Sequence, residues 1–119
     1  ERLLVATDHG EVLVIEGTEL RMTMHVTNGG EGIHCLEVFS KGFLCGCDGG
    51  LLKICERSDD VKELYKCVKT FFIGGNLEPV VNIAVSPSED TLVCTTGNNQ
   101  IYSFSLSNTD ILKEEATTN

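Results

Sequence analysis

Three stretches of the chain can be laid one above another: LLVATDHGEVLVIE (3–16), FLCGCDGGLLKICE (43–56) and LVCTTGNNQIYSFS (92–105). Each reads as an apolar strand, a polar turn of Gly, Asn or Asp, and a second strand alternating apolar and polar residues. Asp8 and Asp48 lie 40 residues apart, and Gly97 takes the equivalent place 49 residues later. Val12, Leu52 and Ile101 share one position of the second strand; Ile15, Cys55 and Phe104 share another. Such a repeat constrains the fold strongly, because a unit this small cannot bury its apolar faces alone and must stack on its neighbours.

A further strand precedes the second and third copies, where Ile33, Leu36 and Val38 match Val80, Ile83 and Val85 at an offset of 47 residues. The third copy then turns through SPSED (86–90), in which Pro87 presets φ at the first corner and Ser86 can bond back to the backbone. The second copy turns through the shorter SKG (40–42). An outer strand follows the hairpin, ELRMTMHV (19–26) in copy one and ELYKCVKTFFI (63–73) in copy two.

Four strands per unit at a period of 40 to 49 residues is the pattern of a β-propeller blade. No apolar stripe at helical spacing persists, which sets helical repeats aside. The expected fold is therefore all-β, about two and a half four-stranded blades of a larger ring, since closed propellers need at least ~4. The reading divides the chain into a partial blade without its inner strand (1–26), a complete blade (27–73), a partial blade without its outer strand (74–106) and a polar, acidic connecting tail (107–119). Asp8, Gly10, Asp48 and Gly50 are expected to shape the hairpin turns, with glycine supplying positive φ.

The hairpins, together with VNIAVSPSEDTLVCTT (81–96), resemble WD40 repeats. The closing Trp-Asp of that pattern stands here as Ile15-Glu16, Cys55-Glu56 and Phe104-Ser105, and its Gly-His as Asn28-Gly29 and Gly75-Asn76. In a standard blade the His, the turn Asp and the Trp form a buried hydrogen-bond network. Asp8 and Asp48 are what survives of it, so these blades are expected to rely on apolar packing. More narrowly, SPSEDTLVCTTGNNQIYSFSLSNTDILKEE (86–115) resembles the divergent propellers of cilia- and flagella-associated WD-repeat proteins. That resemblance implies a non-enzymatic adaptor of the cilium axoneme, within the cytoplasm and cytoskeleton, with inner dynein arm or regulatory complex subunits as partners. The alternatives are another axonemal component such as a dynein tether, a cytosolic WD-repeat adaptor unrelated to cilia, and a cysteine-based metal or redox protein.

Charge narrows the partners. Eighteen acidic against nine basic residues give −9, which disfavours nucleic acid and anionic membrane surfaces, both polyanions. No stretch approaches the ~18 apolar residues of a membrane-spanning helix. Lys62, Lys66 and Lys69 gather around the outer strand of the second copy, but strand alternation is expected to put Lys66 and Lys69 on opposite sides. Direct contact with the acidic microtubule wall is therefore not expected.

Six cysteines (35, 45, 47, 55, 67, 94) sit at no zinc-finger spacing, and no glycosylation sequon occurs; both facts fit a reducing interior, with the cysteines as small buried hydrophobes. Cys45 and Cys47 share one side of a strand, and His9 and His34 are conceivable further ligands. The matching Val5 and Thr7, and Cys94 and Thr96, keep no ligand pair, so no metal or cofactor is expected. His9, His25 and His34 form no evident triad, and no catalytic residue is expected. The surface candidate is KTFFIGG (69–75): Phe71, Phe72 and Ile73 cannot all point inward from an alternating strand, and are a possible partner contact.

Overall fold

A computed structural model describes residues 1–106 and the backbone strand at 115–118. The alternating segments form three antiparallel sheets, each a simple meander. The first holds β1 (Arg2–Ala6), β2 (Glu11–Glu16) and β3 (Glu19–His25). The second holds β4 (Ile33–Phe39), β5 (Gly42–Cys47), β6 (Leu51–Arg57) and β7 (Tyr65–Phe72). The third holds β8 (Val80–Val85), β9 (Thr91–Thr96), β10 (Gln100–Ser105) and β11 (Glu115–Thr118). The three aligned hairpins are thus β1–β2, β5–β6 and β9–β10.

One expectation about the third blade is corrected. Its outer strand is present: β11 runs antiparallel to β10 from Gln100↔Thr118 to Ser103↔Glu115, inside the segment read as a connecting tail. The pairing uses backbone groups, so the short polar sequence EATT announces no strand by apolar alternation.

The repeat extends to its irregularities. A register shift falls between Val14 and Ile15 where β2 meets β3, and another between Ile54 and Cys55 where β6 meets β7. A second pair falls between Ile33 and Cys35 and between Val80 and Asn82, on the inner strands. Bulges at matching sites add twist at matching places, as stacked copies of one unit require.

Two apolar layers hold the sheets together. Between the first and second sheets lie Val12, Val14, Met24 and Val26 against Phe43, Cys45, Cys47, Cys55 and Tyr65. Between the second and third lie Leu44, Leu52, Ile54 and Ile73 against Val80, Leu92, Cys94, Tyr102 and Phe104. Because the second sheet is covered on both faces, every residue of β5 is buried, and its sequence GFLCGC has no polar alternation. At Gly46 a Cβ would stand 2.7 Å from the Val80 carbonyl oxygen, so the close approach of the third sheet requires glycine there.

Polar contacts join the same seams. Across the first, the Arg2 guanidinium lies 5.5 Å from the Tyr65 ring centroid, and that ring meets Phe43 edge-on at 5.1 Å. Across the second, the Ser40 N–H donates to Glu89 Oε2 at 2.9 Å and the Ser40 hydroxyl donates to Oε1. Ser86 does bond back within its turn, its hydroxyl accepting from the Thr91 N–H at 3.1 Å.

Candidate functional site

The hairpin turns organise each blade end. Gly10 and Gly50 have φ of +83° and +74°. The Gly10 carbonyl accepts from the Val26 N–H at 2.9 Å, and the Gly50 carbonyl accepts from the Ile73 N–H at 2.8 Å. The chain leaving each of the first two outer strands therefore crosses its own hairpin turn at the same point. A Cβ at Gly50 would stand 2.2 Å from the Ile73 carbonyl oxygen, and one at Gly10 would meet the Thr27 hydroxyl and the Glu31 carbonyl. Both positive φ and close crossing demand glycine.

Asp48 lies at the mouth of the second turn. Its Oδ2 accepts from the Gly32 N–H at 2.8 Å, and its Oδ1 from His34 Nε2 at 2.5 Å. The His34 hydrogen bond first, and the Gly32 N–H second, hold its carboxyl below the ordinary value of 3.8. This corrects the expectation of packing alone: the second blade keeps an Asp–His pair, with the His inside the inner strand β4 instead of ahead of it. Asp8, the matching residue, is 92% exposed at its side chain and lies 3.4 Å from the equally open His9.

The outer strand β7 separates the three candidate contact residues. Phe71 pairs with Leu52 and Phe72 with Leu51, so they take opposite faces. Phe71 is half-buried against the layer shared with the third sheet, in a cleft with Phe39, Ile54 and Leu106. Phe72 is 60% exposed, and Val68 on the same strand is also open to solvent. Ile73, only 1% exposed, is removed from the contact set, because its N–H is tied to Gly50 and its side chain lies in the core.

The bulge also changes the lysine geometry. Lys66 pairs with Glu56 and Lys69 with Ile54, two positions on one face of β6, because Val68 is the extra residue between them. Lys66 and Lys69 therefore share a side, against the alternation expected from sequence. Glu56 and Glu89 line the cleft that Lys69 borders, so this side carries mixed charge.

Cys45 and Cys47 are fully buried in the layer between the first and second sheets. Burial drives the Cys45 thiol far above its ordinary range, and the Cys47 thiol to about 12. His9 and His34 are engaged or exposed elsewhere, and His25 Nδ1 lies 3.7 Å from Glu11 Oε2. Among the described residues, no group of three or more His, Cys, Asp or Glu is placed to hold a metal ion. The structure brings together a different pair, Cys55 and Cys67, with Sγ atoms 2.7 Å apart. Their separation of twelve residues crosses an irregular loop and a bulge, so alternation gives no signal of it.

Repeated meander sheets, stacked face to face and locked at glycine turns, define a WD40-like segment of a β-propeller. Comparison with known proteins agrees. The β-propeller domain of Cps50 (Swd1) from Myceliophteria thermophila superposes with a TM-score of 0.73 at 15% identity, over 98% of this chain and 36% of that one. Mouse cilia- and flagella-associated protein 57 is 30% identical over an alignment 94 residues long, and the match covers 71% of this chain. The chain spans 7% of the length of that relative. No protein-family profile matches the chain.

Proposed function

We propose that this chain is a piece of a non-enzymatic, protein-binding scaffold of the cilium axoneme, one that helps place inner dynein arms or regulatory complexes. The observation that carries the reading is the 30% identity to mouse cilia- and flagella-associated protein 57, in a segment whose fold is a WD40-like propeller. A propeller suits the task because its packed blades hold loops and outer strands rigid, so recognition needs shape and hydrogen bonding without chemistry.

Phe72 and Val68 are the contact residues of this reading, since an outer strand bearing exposed apolar side chains can meet a partner surface. The partners are other axonemal proteins. The microtubule wall is not one of them, because the net charge of −9 opposes an acidic surface, and Lys62, Lys66 and Lys69 stand among carboxylates.

The test is to tag the full-length protein in a multiciliated cell, locate it, and identify what co-purifies from isolated axonemes. Axonemal localisation with inner-arm or regulatory-complex subunits in the eluate is expected, with those subunits lost in Phe72→Glu while the protein stays folded. A diffuse cytosolic distribution would remove the axonemal reading. Sedimentation with bare microtubules at physiological salt, abolished by changing Lys62, Lys66 and Lys69 to Glu, would overturn the partner assignment.

A further inference from the structure

Cys55 and Cys67 are cross-strand partners on β6 and β7, beside the bulge, with their sulfurs 2.7 Å apart. They differ in access. Cys55 is fully buried in the layer against the first sheet, whereas Cys67 is an exposed residue of the outer strand. Lys53, two residues before Cys55, is half-buried on the same face of β6. The matching cross-strand pair in the first sheet is Ile15 and Leu20, at the same kind of bulge, and it carries no such chemistry.

We propose that Cys55 and Cys67 form a redox-modification site, a dithiol that a low-molecular-weight disulfide oxidises to a cross-strand disulfide. The Cys67 thiolate attacks one sulfur of the small disulfide, forming a mixed disulfide and expelling one thiolate. The Cys55 thiol then gives its proton to a leaving thiolate and attacks the Cys67 sulfur, forming the Cys55–Cys67 bond and expelling the second. Two protein thiols lose two electrons and two protons in total, the Cys67 proton passing through water to the other leaving thiolate, and the small disulfide gains them as two thiols.

The two roles follow from the surroundings. The hydrogen bond between the two thiols is the main cause holding the Cys67 thiol below its ordinary range, with the Lys53 charge helping. The same hydrogen bond and burial push Cys55 up. The exposed partner is thus the nucleophile that meets the oxidant, and the buried one resolves the intermediate. The product ties the outer strand, a sheet edge that carries the proposed contact residues, covalently to β6. This inference stands on the cysteine geometry and does not require the axonemal reading.

The experiment treats the full-length protein with oxidised glutathione, quenches with iodoacetamide and maps peptides by mass spectrometry. In reduced protein Cys67 should be alkylated on the order of tenfold faster than Cys35, Cys45, Cys47 or Cys94. After oxidation a Cys55–Cys67 crosslinked peptide should replace the two alkylated ones, and dithiothreitol should reverse it. In Cys55→Ser the glutathione adduct should persist on Cys67, with no intramolecular bond. Wild-type protein whose Cys55 and Cys67 remain alkylatable after oxidation, or whose crosslinks join other cysteines, would overturn the proposal even if the variant does not fold.

Discussion

The first two hairpin turns begin from nearly the same residues and end differently. Asp8-His9-Gly10 and Asp48-Gly49-Gly50 both raise a glycine carbonyl to receive the chain leaving the outer strand, at 2.9 and 2.8 Å. Only Asp48 among the two acids is anchored, because its partners, Gly32 N–H and His34, come from the segment entering its own sheet. Among the described residues the first sheet has no matching inner strand, and Asp8 faces solvent. The backbone crossing is a property of the turn itself. The side-chain network is a property of a fourth strand.

If the crossing is common to both blades, the residues that complete it should matter in both. Ile73→Ala removes a fully buried side chain and should cost about 2–5 kcal/mol. Val26→Ala, at the matching place, should cost somewhat less because fewer methyl groups are lost. Phe72→Ala should cost about 1 kcal/mol or less, since most of its surface is already in water. Urea unfolding of the full-length protein, followed by a probe of this propeller, measures all three. An Ile73 variant no weaker than the Phe72 variant would break the comparison.

The glycines test the same crossing from the other side. Gly50→Ala and Gly10→Ala each place a Cβ where there is no room at a φ that alanine avoids, and each should cost about 2–3 kcal/mol. Gly17, also at positive φ but with nothing near its missing Cβ, is the control and should cost about 1 kcal/mol for its backbone alone.

Much of this architecture was legible in the residues, for a physical reason. Hairpins are local: alternation over a few residues and a Gly-bearing turn suffice to place β1–β2, β5–β6 and β9–β10. What escaped the sequence depends on pairing between strands. The extra residue Val68 looks like any other strand residue, yet it moves Lys69 to the side of Lys66 and aligns Cys67 with Cys55. His34 sits two residues into its strand region from Gly32, away from the familiar Gly-His position, so its bond to Asp48 appears only once β4 lies beside the β5–β6 turn. The spacing of Cys45 and Cys47 is visible within one strand, whereas the pair that meets, Cys55 and Cys67, is spread over two.

The acids separate the blades. Asp48→Ala removes two charge-assisted hydrogen bonds at a half-exposed site and should cost about 1 kcal/mol, whereas Asp8→Ala should stay within about 0.5 kcal/mol. His34→Ala should reproduce part of the Asp48 loss, and the double variant should lose less than the sum of the two singles. Additive losses would mean that the two side chains act independently.

The smallest effect is a pH dependence confined to the second blade. The Asp48 carboxyl is held below its ordinary value of 3.8 by hydrogen bonds that the unfolded chain lacks. Its folded form therefore releases the proton more readily than its unfolded form. The stabilisation is fully present above 3.8 and is lost as pH falls through the lower, folded value. Protonation of a carboxylate weakens both accepted bonds at once, since Gly32 and His34 each donate to it. Asp48→Asn removes the titration, so the stability gap between wild type and this variant should be present near pH 5 and shrink below 3.8. Denaturant titrations at a series of pH values, on wild type and variant in parallel, cancel the contributions of the other carboxylates. A gap that widens as pH falls below 3.8 would mean that Asp48 is stabilised in its protonated form, and the anchored turn would have to be assigned to other groups.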